Sequence, residues 1–152
     1  MKIFNMSTVK LSVVVCVYNE EENIKPQIER IAEAMEGYEY EMVFVDDGSK
    51  DNTLELMIEA YNLEAVPYAF EEKIGSKPIR AVYKSTIPSL SKLTVVDKVN
   101  GGKADALNSG INISRYGIFA AIDVDCILEY ESLLKMVKPF MEQTETDRVI
   151  AV

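Results

Sequence analysis

Two rhythms of apolar and polar residues alternate along this chain. Residues 11–17, Leu-Ser-Val-Val-Val-Cys-Val, are β-branched and almost uniformly apolar, which predicts a central parallel strand covered on both faces. The run ends at Tyr18-Asn19-Glu20, and helical spacing takes over. Ile24, Ile28, Ile31, Ala32 and Met35 recur with Glu29, Arg30, Glu33 and Glu36 between them. Pro26 is tolerated only near a helix start, which sets the N-cap at Asn23 and the stop at Gly37. A second strand over 41–46 closes in Asp46-Asp47-Gly48-Ser49, and a helix over 51–61 follows with Leu54, Met57 and Ile58 inward. Strand, helix, strand, helix with short connections predicts an α/β fold, a doubly wound and mostly parallel sheet with right-handed crossovers.

Residues 62–91 break that rhythm. They carry Pro67, Pro78 and Pro88 and one convincing strand at 79–83, and read as an excursion, a hairpin over the sheet edge. The sheet resumes at 93–97. Asn100-Gly101-Gly102-Lys103 then turns into a helix running through Ala104, Leu107 and Ile111. Residues 117–123 read as a buried strand that ends abruptly in Asp123-Val124-Asp125. A last helix over 131–141 carries Leu133, Leu134, Met136, Val137 and Phe140, and the apolar run 149–152 looks like a further strand beginning.

Composition narrows the chemistry. At 152 residues the whole chain, 1–152, reads as one domain, 48% hydrophobic and 27% charged. A formal charge of -9 with no basic stripe argues against nucleic acid. There is no histidine, which removes imidazole metal sites and Ser-His or Cys-His nucleophile systems. Cys16 and Cys126 have no C-x-x-C spacing and read as small buried residues of a reducing compartment. The polar residues 1–10 lack the apolar core of a leader, and no apolar run approaches the ~18–20 residues of a membrane helix.

If the strands are parallel, four polar clusters share one edge: Tyr18-Asn19-Glu20, Asp46 to Ser49, Asn100 to Asn108, and Asp123-Val124-Asp125. In open α/β sheets ligands bind outside the C-terminal strand ends. Asp123 and Asp125, two apart on a strand, point the same way and suit a hard divalent cation that bridges to an anion, most naturally a diphosphate. Gly101-Gly102 allows close backbone approach, and Lys103 supplies a point charge for phosphate. Asp46 or Asp47 can accept hydrogen bonds from a base or a ribose. Asp47 and Ser49 also suit a plain helix-capping turn, more so than Asp46.

In this order the strings Val15-Cys16-Val17-Tyr18-Asn19-Glu20-Glu21, Val45-Asp46-Asp47-Gly48-Ser49, Gly101-Gly102-Lys103-Ala104-Asp105-Ala106-Leu107-Asn108 and Asp123-Val124-Asp125 resemble the inverting family 2 glycosyltransferases of the GT-A fold. The resemblance runs from about residue 10 to 141, and the Gly-Gly-Lys string looks like the processive membrane branch of polysaccharide synthases, which make poly-N-acetylglucosamine, hyaluronan, chitin or cellulose. It implies that Asp46 reads the uracil or ribose of a UDP-sugar, with UDP-N-acetylglucosamine or UDP-glucose as donor and a saccharide as acceptor. The segment Val17, Tyr18, Asn19 and Glu20 would pack beside the base. Asp47, Asn100, Lys103, Asp105, Asn108 and Asp123 would complete the donor site, and Asp123 and Asp125 would hold Mg²⁺ or Mn²⁺.

The family's general-base aspartate and its Gln-x-x-Arg-Trp motif lie beyond the D-x-D, and this chain has no Trp. The expectation is therefore the donor-binding part of a larger enzyme that sits in the cytoplasmic membrane with this domain on the cytosolic side. By itself the piece is expected to be soluble, able to dimerise, and without a catalytic base. Two other readings stay open: a non-catalytic nucleotide-binding domain of the same fold, and a phosphoacceptor signalling domain that gathers Asp and Lys around Mg²⁺. A sugar nucleotidylyltransferase lacks support, because its Gly-rich, Arg-containing loop is missing after the first strand.

Overall fold

A computed structural model describes residues 10–152; the opening segment read for a leader lies, apart from Lys10, outside the described residues. In chain order the elements are β1 (Lys10–Val17), α1 (Ile24–Ala34), β2 (Glu39–Asp46), α2 (Thr53–Tyr61), β3 (Leu63–Ala65), β4 (Ile79–Ser85), a 3₁₀ turn (Pro88–Leu90), β5 (Leu93–Lys98), α3 (Lys103–Ile113), β6 (Ile118–Asp123) and α4 (Ser132–Glu142). The strands form one sheet in the order β3-β4-β5-β2-β1-β6. β1, β2, β5 and β6 run parallel, as expected, while β4 pairs antiparallel with β5 and β3 with β4.

Strand pleating sorts the apolar residues into two cores. Val13, Val15, Val17, Met42, Phe44 and Val95 face one side, where α1, α2 and α4 cover them with Ile24, Ile28, Ile31, Met57, Leu133 and Val137. Val14, Val43, Val45 and Val96 face the other side, under Ala106 and Ile113 of α3. Helices on both faces make the sheet doubly wound. α3 lies close because Gly110 replaces a side chain: a Cβ there would stand 2.3 Å from Val14 Cγ1.

Several expectations change. The 62–91 excursion contains the expected hairpin, β3 paired antiparallel with β4, but it joins the sheet instead of lying over its edge. It supplies β3 and β4, which extend the sheet antiparallel beyond β5, because backbone groups at an edge are better satisfied by pairing than by water. Residues 117–123 do not give a buried strand: β6 ends the sheet, with Phe119 44% exposed. α3 packs through Ala106, Ser109, Gly110 and Ile113, while Ala104 is exposed and Leu107 and Ile111 are half-buried. α1 ends at Ala34, with Gly37 in the turn beyond at φ 82°. The run at 149–152 forms no strand, and Ile150 is 92% exposed. No helix among the described residues is long and apolar enough to cross a membrane.

One core residue is out of keeping. Gln27 of α1 is fully buried, and neither Nε2 nor Oε1 has a hydrogen-bond partner among the described residues. An unmade buried hydrogen bond costs about 1–3 kcal/mol, so Gln27→Met, which keeps the volume, should raise stability by that order. Urea denaturation measures it; a variant no more stable than the parent would mean the amide is satisfied in solution.

Candidate functional site

The strand register builds the site's edge. Cys16 of β1 sits level with Asp123 of β6, Val17 with Asp46 of β2, and Asp46 with Asp97 of β5. Four parallel strands therefore end in one row, with carboxylates on three of them. At the β6 end Ile122 and Val124 are buried in the core, which sends Asp123 to the other face. The chain then turns, with the Cys126 amide donating to the Asp123 carbonyl at 3.0 Å. That turn, not the strand pleat, delivers Asp125. Ligand atoms of Asp123, Asp125 and Cys126 all lie within 4.8 Å of one another.

Two exposed carboxylates so placed fit a hard divalent cation. A positive group already stands at one of them: the Lys103 ammonium lies 2.5 Å from Asp123 Oδ1, and that hydrogen bond holds the lysine above its ordinary range. A cavity of about 270 Å³ opens beside the pair, lined by Cys16, Val17, Tyr18, Glu20, Asp47, Lys103, Asp123 and Asp125 among others. The cysteines differ from expectation. Cys126 is exposed and Cys16 only half-buried, and both are free thiols; burial pushes the Cys16 thiol up to about 11.

The adjacent aspartates after β2 divide their work in the opposite way to the capping expectation. Asp46, buried, accepts from the Ser49 amide at 3.3 Å and from the Ser49 hydroxyl, so it is the residue that shapes the Asp-Gly-Ser turn. Burial pushes its carboxyl up, against the pull of the Ser49 hydrogen bonds. Asp47 reaches across instead. It accepts from Lys98 Nζ at 2.8 Å and from the Gly101 and Gly102 amides at 2.9 and 2.8 Å. Asn100 Nδ2 donates to its carbonyl at 2.8 Å. The Asn19 amide donates to Ser49 Oγ at 2.9 Å, and the Lys50 amide donates to Asn19 Oδ1 at 2.8 Å, which ties the end of β1 to this loop. The Glu20 amide donates to Thr53 Oγ1 at 3.0 Å.

Seven of the sequence-named residues thus face the cavity: Val17, Tyr18, Glu20, Asp47, Lys103, Asp123 and Asp125. Asp105 and Asn108 are engaged elsewhere. Asp105 accepts from Lys98 Nζ at 2.5 Å and from the Lys77 amide at 3.0 Å. Asn108 Nδ2 donates to the Gly75 carbonyl at 3.0 Å. Both fasten the loop between β3 and β4 onto α3. The sequence reading passed over Lys98 and the pair Arg80–Asp97. Lys98 is fully buried among acids, and Arg80 Nε donates to Asp97 Oδ1 at 2.9 Å beside Asp46. No local signal marks Lys98, because its acid partners come from the loop after β2 and the first turn of α3.

The sequence matches the model of Glycosyl transferase family 2 over residues 12–73 and 75–152. It is 29% identical over 147 residues, 95% of its length, to the dodecaprenyl-phosphate galacturonate synthase of Rhizobium johnstonii. It is 46% identical over 57 residues to the undecaprenyl-phosphate 4-deoxy-4-formamido-L-arabinose transferase of Proteus mirabilis. The chain spans 36% and 18% of those two relatives. Among solved structures, the Pyrobaculum calidifontis mannosyltransferase PcManGT in complex with GDP-Man and Mn²⁺ superimposes with TM-score 0.64 at 24% identity, over 88% of this chain and 33% of that one. TarS 1-349 of S. aureus in complex with UDP-GlcNAc gives TM-score 0.59 at 24% identity, over 88% and 32%. These likenesses show the shared fold, and the family match covers nearly every residue from β1 onward: the chain belongs to glycosyltransferase family 2.

Proposed function

We propose that this chain binds the nucleotide-sugar donor, a UDP-sugar, together with Mg²⁺ or Mn²⁺ for inverting transfer. The observation that carries the reading is the Asp123–Asp125 pair, presented by the end of β6 and the turn after it to a cavity that Lys103 and Asp47 also line. When bound there, the cation offsets the diphosphate charge and polarises the leaving group. Lys103 stands where it can pass from Asp123 to a phosphate oxygen. Tyr18, 43% exposed at the end of β1, offers a ring beside the base. Asp46, level with Val17 on β2, is buried and held by Ser49, and would have to exchange that partner to accept from the base.

Inverting transfer also needs a base at the acceptor hydroxyl. Glu129, Glu131, Glu142 and Glu145 lie along α4 or just outside it, and none lines the cavity. On this reading the 152 residues bind donor but transfer sugar only at background level. The Gly101-to-Asn108 string supports a processive polysaccharide synthase with a saccharide acceptor. The names of the two curated relatives favour a second acceptor, a polyprenyl phosphate. Titration calorimetry with UDP in Mn²⁺ and in EDTA tests donor binding, and equal affinity in both would sink the metal assignment. Radiolabelled UDP-sugar offered to either acceptor tests transfer; robust product would mean that a base lies within these residues.

A further inference from the structure

Lys98 is the largest charged group fully enclosed by this fold, and none of its atoms lines the cavity beside Asp123. Its ammonium has three protons to place, and three acceptors stand around it. Asp47 Oδ1 lies at 2.8 Å, Asp105 Oδ2 at 2.5 Å and the Val99 carbonyl oxygen at 2.6 Å. Burial works to push the lysine down, and the hydrogen bonds to Asp105 and Asp47 prevail, holding it charged and above its ordinary range.

Those acceptors come from separate places in the chain. Val99 opens the connection that follows β5, Asp105 lies in the first turn of α3, and Asp47 belongs to the loop after β2. One ammonium therefore pins both ends of the segment 99–105. Asp47, its partner, takes the Gly101 and Gly102 amides from the middle of the same segment. The glycines are required by this closure. A Cβ on Gly101 would meet Asp105 Oδ2 at 2.3 Å, and Gly102 sits at φ 88°, where side chains are rarely tolerated. Lys103, the next residue, then emerges with its ammonium on Asp123.

We propose that Lys98 is the positioning residue of the donor site, fixing the Gly101-Gly102 turn through Asp47 and Asp105 so that Lys103 is aimed at the diphosphate. The inference rests on the donor-binding reading for its purpose, though not for its geometry. Lys98 touches no part of the proposed ligand. Its role is to hold still a turn that carries two glycines and would otherwise sample many conformations, so that the ordering cost is met on folding and not on binding.

The test compares the parent chain with Lys98→Met and Asp105→Asn. Titration calorimetry is run with Mn²⁺ alone, with uridine, and with UDP plus Mn²⁺, and amide hydrogen exchange is followed at Gly101 and Gly102 without ligand. Lys98→Met is expected to weaken UDP about tenfold or more, the scale of a lost charged hydrogen bond. Mn²⁺ and uridine should change less than about twofold, since neither uses the turn. Exchange at the two glycine amides should quicken. A merely structural role would lower all three affinities together, and that result overturns the proposal, as does a folded variant with unchanged UDP affinity and unchanged exchange. Should Lys98→Met fail to fold, Asp105→Asn takes its place, because Asp105 is partly exposed and keeps its shape. The same pattern in a smaller degree supports positioning, and no change overturns it. If the parent chain binds no UDP, the donor reading fails, while glycine exchange still decides whether Lys98 fixes the turn.

Discussion

Replacing both Asp123 and Asp125 by Asn should abolish the metal dependence of UDP binding. In Mn²⁺ the double variant should fall to the affinity that the parent shows in EDTA, a loss of roughly tenfold to a thousandfold. The size follows from charge. Unit charges at about 4 Å interact by about 1–4 kcal/mol at dielectrics between bulk water and a protein surface. Two exposed carboxylates therefore oppose a diphosphate, and a divalent ion reverses the sign. In EDTA the variant should bind UDP at least as well as the parent, because the repulsion has gone and Lys103, which now pairs with Asp123, is released. Calorimetry in the two buffers reads both effects. A variant that keeps its Mn²⁺ advantage would move the metal away from this pair, and equal loss of uridine binding would point to damage beyond it.

The second large effect concerns stability, and it separates two neighbours. Asp47→Ala should destabilise the fold by about 3–5 kcal/mol, the scale for removing one partner of a buried ion pair. The side chains of Asp47 and Lys98 are 5% and 0% exposed, and the same carboxylate also accepts the Gly101 and Gly102 amides. Against a typical total of about 5–15 kcal/mol this is a severe loss. Asp46→Asn should do the reverse. Burial raises the Asp46 carboxyl in the folded state, so folding favours its protonated form and the ionised form costs stability. That cost is present above the folded value and disappears as pH falls below the unfolded one. An amide keeps an oxygen for Ser49 without the charge, so the variant should be more stable than the parent near neutral pH. Its advantage should shrink as pH falls. Urea denaturation of both variants at two pH values checks this; an Asp47→Ala chain as stable as the parent would show that Asp105 alone suffices for Lys98.

Asp46→Asn remains informative about function. The amide keeps an acceptor but adds a donor, so contact with a base N–H changes while the diphosphate and its metal are untouched. Weakened UDP with unchanged Mn²⁺-pyrophosphate binding is the outcome expected if Asp46 reads the nucleoside.

The amino-acid sequence by itself determined the parallel core and its edge. Runs such as residues 11–17 are too apolar to have a solvent face, so they become central strands, and polar residues directly after such runs must collect at one edge. That brings Asp46, Asp47, Lys103 and Asp123 to one edge, because strands joined by crossovers run parallel and their C-terminal ends coincide. Tertiary structure alone decided what those side chains touch. The sequence cannot show that Asp105 turns back to Lys98 and Lys77 and away from the cavity, because both partners reach it across the fold, from the end of β5 and from the loop before β4. It cannot show that Lys98 is buried, since a lysine is ordinarily solvated unless acids from distant segments converge on it. Nor can it distinguish the interior strand expected at 117–123 from the edge strand β6, because an apolar run is equally apolar in both, and only the strand order leaves Phe119 in the open.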